Sequence, residues 1–156
     1  MHYNLKKYYF INKFDTKIID KQTCNTNIIY RNYDSNNNSK TVIKLKKYCK
    51  KKGYKFFISN NVKLALNLNL DGAYIPSFNK SVSHLSFSKR KNFLLIGSAH
   101  NNKEIKIKEI QGVSVLFLSS IFKKNKNYLG INKFKILKKY SKIKIIALGG
   151  INEKNI

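Results

Sequence analysis

The chain has 156 residues, 42% of them hydrophobic, which is one domain's worth of sequence and enough to bury roughly two-thirds of its unfolded surface without disulfide staples. Its apolar runs are strand length, well short of the about 18 residues of a membrane-spanning helix, and Met1 to Lys7 is polar and lysine-bearing. Cys24 and Cys49 form no Cys-x-x-Cys pair or metal cluster, so a disulfide framework is excluded and reduced thiols in a cytosolic protein are expected.

In chain order, Tyr8 to Ile11 reads as the first strand and Asn27 to Arg31 as the second, with a short polar segment around Phe14 to Lys21 between them. Asp34 to Lys40, rich in Asn and Ser, is a loop. It leads into a helix with Ser39 as cap, Val42, Leu45 and Cys49 on one face, lysines on the other, and Gly53 at the C-terminal stop. Lys55 to Ser59 is the third strand. A helix capped by Asn60 or Asn61 and carrying Val62, Ala65 and Leu66 ends before Asp71-Gly72, a turn, and Ala73 to Ile75 is the fourth strand. Ser77 to Asn92 reads as a basic loop with a short helix. Phe93 to Ile96, closed by Gly97, is the fifth strand; Lys103 to Ile110, with Ile105, Ile107 and Ile110, is a short helix. Ser114 to Leu118 is the sixth strand, followed by the basic loop Lys123 to Asn127 and a helix over Ile131 to Tyr140 with Phe134 and Leu137 inward. The seventh strand, Ile145 to Leu148, has the branching of a strand buried on both faces and stops at Gly149-Gly150, with Asn152 placed to cap a helix from Glu153.

Seven strands alternating with helical segments imply βα units and a parallel sheet, either a closed (β/α) barrel or an open doubly wound sheet. Both put the chemistry at the carboxyl ends of the strands. Those ends carry Arg31, Ser59-Asn60, Tyr74 to Ser77, Ser98 to His100, Ser119 to Lys126 and Gly149-Gly150. Two glycines between a buried strand and a helix start allow close backbone approach to an anion, a phosphate seat in outline; the bland alternative is a turn that needs glycine only for φ. Other residues have bland readings too. Arg31 can pair with Asp34, His100 reads as a loop hydrogen-bonder, and His2 and His84 have no partner in sequence.

The net charge of +25 invites nucleic acid, whose phosphates lysine and arginine neutralise. Only Arg31 and Arg90 are arginine, though, and lysine, asparagine and isoleucine are spread everywhere beside just four alanines. Base-reading surfaces favour the bidentate guanidinium, so this charge reads as a solvated basic surface with non-specific attraction to nucleic acid.

Five ordered segments carry a family resemblance: Phe57 to Val62, Leu70 to Ile75, Ile96 to His100, Leu118 to Phe122, and Ile146 to Asn152. In order and spacing they resemble the thiamine phosphate synthase family, and the match covers nearly the whole chain as a single domain, residues 1–156. The resemblance implies a TIM-type (β/α)8 barrel, incomplete at the C-terminus with about seven strands present. The implied activity couples hydroxymethylpyrimidine diphosphate to thiazole phosphate, releases diphosphate and forms thiamine phosphate, with Mg2+ as the implied cofactor. Phosphorylated pyrimidine and thiazole are the implied partners, and the barrel is expected either to stay open or to be closed by self-association or a partner chain. The match places Arg31 in the diphosphate clasp and Ser98 after the fifth strand, both as catalytic and substrate-binding residues, Asn60 among the substrate-binding positions, and Gly149 and Gly150 at the thiazole phosphate. The family's metal aspartates fall at Asn60 and Asn79, neutral amides that are poorer Mg2+ ligands.

Other departures fall at Ile29 and Tyr33, where the clasp has glutamine and lysine, and at Ser59, where the family has asparagine. Lys124 and Lys126 stand where the family's loop has threonines, and could hold phosphate in place of missing metal charge. Two alternatives stay open. One is an altered relative that binds a phosphorylated thiazole or pyrimidine, such as a tautomerase-like protein, against which Ser120 replaces that group's histidine. The other is a charge-driven nucleic-acid binder.

Overall fold

The computed structural model describes residues 6–33 and 39–152. The fold divides into two compact units, Met1–Tyr74 with Lys89–Phe93, and Ile75–Ser88 with Leu94–Ile156.

The first unit contains strand β1 (Lys7–Ile11), helix α1 (Thr16–Asp20), β2 (Thr26–Tyr30), α2 (Ser39–Lys52), β3 (Lys55–Ser59), α3 (Val62–Asn67) and nearly all of β4 (Gly72–Ile75). Its strands are parallel and paired in chain order, with Tyr8 opposite Asn27, Ile29 opposite Phe57, and Ile58 opposite Ala73. Apolar runs without alternation suit strands covered on both faces. Accordingly Ile28, Ile29, Phe57 and Ile58 are all fully buried.

Helix α2 turns Val42, Leu45 and Cys49 inward at 0% exposure. It ends in a Schellman arrangement, Gly53 N donating to Lys50 O and Tyr54 N to Cys49 O, with Gly53 at φ +76°. Segment 14–21, which the sequence offers only as a polar connection, is helical over α1. Asp15 Oδ1 accepts from Ile18 N at 3.3 Å and Ile19 alone fills the buried position. One inward isoleucine on a five-residue helix leaves no periodicity to detect.

The second unit contains a 3-10 turn (Ser83–Ser86), β5 (Leu94–Ala99), α4 (Asn102–Ile110), β6 (Val115–Ser119), α5 (Gly130–Tyr140) and β7 (Lys144–Leu148). Its strands are again parallel, β5 on β6 and β6 on β7. Two expectations are corrected. Strand β5 does not close at Gly97 but runs through it to Ala99, because a Cβ there would press to 3.1 Å on the Lys108 stem and on Val113; the glycine serves packing, not a turn. Strand β7 is not buried on both faces: Ile145 to Leu148 are each half-buried among the described residues. Among the described residues no helix is long and apolar enough to cross a membrane.

Candidate active site

The strand carboxyl ends of the first unit carry Arg31, Ser59 and Asn60. Arg31 follows β2 directly; its N–H donates to Ile11 O at 2.7 Å and its guanidinium lies 4.9 Å from the Phe10 ring centroid. Arg31 also lines a cavity of about 240 Å³ together with Tyr9, Phe10, Ile11 and Lys13. The alternative partner Asp34 lies outside the described residues, as do His2 and the helix expected from Glu153. Ile29, at the clasp's glutamine position, is wholly buried and offers no polar atom. Tyr33, at its lysine position, shares a 3.0 Å hydrogen bond between its hydroxyl and Ser59 Oγ. Two departures from the family pattern thus contact each other. Asn60 sits in the left-handed region at φ +60°, its N–H donating to Tyr74 O at 2.8 Å, while Asn61, not Asn60, caps α3 through Leu64 N.

In the second unit Ser98 lies within β5, opposite Phe117 and only 4% exposed, not in the loop beyond the strand. The carboxyl ends of β6 and β7 meet through backbone. Ile121 N donates to Leu148 O at 3.1 Å, and Phe122 N and Lys123 N donate to Gly149 O at 3.0 and 3.2 Å. Gly149 and Gly150 have φ of +98° and +78°. A Cβ on Gly150 would stand 2.7 Å from Lys123 N, and one on Gly149 would strike Ser120. The positive φ that the bland reading requires is present at both glycines, and their close packing, which the sequence does not reveal, sets the turn beside the basic loop. Ser120 ties that loop down: its Oγ donates to Lys123 O at 2.8 Å, its N–H to Asn127 O, and its carbonyl accepts from Leu129 N. Lys124 and Lys126 are exposed on the loop so formed.

His100, one residue past β5, is better connected than its sequence position suggests. Its Nδ1 is 2.7 Å from Ser119 O, which assigns the proton there, and Nε2 faces Asn127 Nδ2 at 3.4 Å. Its own N–H donates to Glu104 Oε2 at 2.8 Å. His84, partnerless in sequence, is buried with Nε2 at 2.8 Å from Gln111 O. No spacing rule reveals either pairing, because the partners lie 19 and 27 residues away.

The carboxylates of the described residues all have structural tasks. Asp15 caps α1, Asp20 accepts Tyr48 and Lys52, Asp71 accepts Phe56 N at 2.9 Å, Glu104 accepts His100 N, and Glu109 accepts Lys106 and Lys142 N. Asp71 thus braces β3 as well as turning into Gly72. Asn79 spends its side-chain oxygen on Ser81 N at 2.8 Å. With neutral amides at the family's two metal positions, this donor set does not fit Mg2+, a hard cation that wants carboxylate oxygen.

The family model for thiamine monophosphate synthase matches residues 18–156. The chain belongs to the thiamine monophosphate synthase family. It is 33% identical over 109 residues to a thiamine-phosphate synthase of Methanococcus vannielii, covering 65% of this chain and 50% of that protein. With one from Helicobacter pylori it shares 30% over 120 residues, 72% of this chain and 54% of the other. The chain thus spans about half the length of the curated relatives it matches. A solved thiamine phosphate pyrophosphorylase from Pyrococcus furiosus superposes with a TM-score of 0.67 at 18% identity, over 96% of this chain and 77% of that one. A 4-hydroxy-2-oxoglutarate aldolase structure superposes at 0.58 and 12%. Two different chemistries on one backbone mean that these likenesses show fold alone: a TIM-type (β/α) barrel of which seven strands lie in this thiamine monophosphate synthase family chain.

Proposed function

We propose that the chain is a cytosolic, single-domain thiamine phosphate synthase-type transferase acting on a pyrimidine diphosphate and a thiazole phosphate. The observation that carries this reading is the ordered family match across residues 18–156. In the reaction the pyrimidine methylene carbon loses diphosphate, which departs with the bonding electron pair, and the thiazole nitrogen lone pair forms the new C–N bond. Such a step needs stabilisation of a departing anion more than a general base. Arg31, held over Phe10, is assigned to diphosphate. Lys124 and Lys126, with the Gly149-Gly150 turn, are assigned to phosphate in the second unit, and Ser98 and Asn60 to substrate contacts at their strand ends. No step is assigned to Mg2+, and lysine charge takes its place.

Lys124→Ala with Lys126→Ala is expected to weaken thiazole phosphate binding about tenfold or more, since charge-assisted phosphate contacts contribute on the order of 1–3 kcal/mol each. Unchanged affinity in calorimetry would remove the lysines from the site. Millimolar Mg2+ is expected to leave that affinity unaltered, and Mg2+-dependent binding would restore the metal.

The amides at Asn60 and Asn79 favour a second reading, a non-catalytic relative that binds one phosphorylated substrate. Thiazole phosphate binding without product formation identifies it. The half-buried β7 is suited to cover by a further strand or a partner chain, which light scattering of the purified protein tests directly.

A further inference from the structure

After β4 the chain from Ser77 to Ser88 has little apolar anchorage. His84 is its one buried side chain, while Phe78, Val82 and Leu85 are 62%, 47% and 46% exposed. The segment is fastened instead by a buried polar cluster on α4 and the residue that follows it. Lys108 Nζ donates to Asn79 O at 2.7 Å and to Gln111 Oε1 at 2.8 Å. Gln111 Nε2 donates to the same Asn79 O at 3.0 Å and to Ser81 O at 2.8 Å, and Gln111 O receives His84 Nε2 at 2.8 Å. This network fixes the amide's orientation, since only its oxygen can accept from the ammonium and only its nitrogen can serve two carbonyls.

Lys108 and Gln111 are both at 0% exposure. Burying an ammonium is costly, and burial pushes the Lys108 pKa down to about 8, the nearby Glu104 opposing. A leucine would fill the volume without that cost. The bare Gly97 gives the lysine's stem its channel, with an added Cβ only 3.1 Å from Cδ. What the lysine supplies that a leucine cannot is a grip on the carbonyls of a segment lying just beyond a strand's carboxyl end, where a barrel binds its ligand.

We propose that Lys108 is a positioning residue: with Gln111 it clamps residues 79–84 onto α4 and sets the connection after β4 for the phosphorylated ligand. The ligand half rests on the function proposed above. The clamp itself does not.

The test uses the full chain with Lys108→Met, which keeps length and volume, and Lys108→Gln as a milder variant that retains a donor. Amide hydrogen exchange is expected to speed up about tenfold or more at residues 79–84 while β5 and β6 keep their protection, because local opening is distinct from global unfolding. In kinetics with the thiazole phosphate, or in binding of inorganic phosphate, the KM or Kd is expected to rise about fivefold with kcat nearly constant. Lys108→Gln should fall between wild type and Lys108→Met in both. Unchanged exchange at 79–84, or an increase uniform across the second unit, overturns the clamp. A fall in kcat at constant KM overturns the ligand half. A wild-type chain that binds neither probe sinks that half along with the reading beneath it, and the exchange result still decides the clamp.

Discussion

Lys108 and Cys49 are both removed from water, and they push stability in opposite directions with pH. The lysine's folded pKa of about 8 is below its ordinary 10.5, so above pH 8 the unfolded chain holds the extra proton and stability rises with pH. The Cys49 thiol is pushed up to about 12, by burial first and by Asp71 second; the unfolded thiol ionises earlier, so stability falls from about pH 9 upward. Between pH 8 and 9 the lysine dominates. Guanidinium midpoints should therefore give Lys108→Met a flatter pH dependence than wild type there, by up to about 1.4 kcal/mol per pH unit. Parallel profiles would mean that the ammonium is not desolvated. Gly150 is a second residue-scale case: Gly150→Ala meets both a φ of +78° and the Lys123 backbone, and is expected to cost about 2–4 kcal/mol in chemical denaturation. A loss under 1 kcal/mol would show that the turn relaxes easily. The sequence marks Gly149-Gly150 as a turn or an anion seat but does not show the Ser120 and Lys123 contacts that leave no room for a Cβ. Lys108 is invisible there, one of 32 basic residues with no sign that it turns inward beside Ile105 while Ile110 stays 65% exposed.

The elements were legible where their signals are local. Helix α2 shows its inward face, its Gly53 stop and its lysine face within one stretch of sequence, and the strands β2, β3 and β6 are apolar runs of the right length. Helix α4 starts at a side-chain cap that the sequence reading does not name: Asn101 Oδ1 accepts Glu104 N at 2.9 Å, while Glu104 Oε1 accepts Asn101 Nδ2 at 3.0 Å and Oε2 accepts His100 N at 2.8 Å. Asn101→Ala is expected to cost about 1 kcal/mol and to loosen His100, whose N–H bonds to Glu104; a stability change within error would reassign the cap. Strand β5 reads short in the sequence because glycine often interrupts a strand, and the Lys108 stem and Val113 packed against Gly97 explain why this glycine lies within one. Strand β7 reads as doubly buried from composition, yet its cover is a matter of neighbours and not of its own residues.

At the scale of the whole molecule, charge and family pull towards different partners. A net charge of +25 carried mostly by lysine predicts salt-sensitive, sequence-indifferent attraction to nucleic acid, lost at a few hundred millimolar salt. Binding to random DNA that persists there, or that distinguishes sequences, would count against the compositional origin of the charge. Parallel strands and carboxyl-end placement are readable because a βα repeat has few possible topologies, whereas the barrel is favoured over an open sheet only by the family segments. The chemistry was readable only through the ordered family segments, and the same positions expose Asn60, Asn79 and the Tyr33–Ser59 pair as its points of departure. The most direct test is to incubate the purified chain with hydroxymethylpyrimidine diphosphate and thiazole phosphate and to measure thiamine phosphate and diphosphate together. Equal, time-dependent formation of both, reduced by Lys124→Ala with Lys126→Ala, is the result expected. Neither product, with no saturable binding of either substrate, would contradict the account.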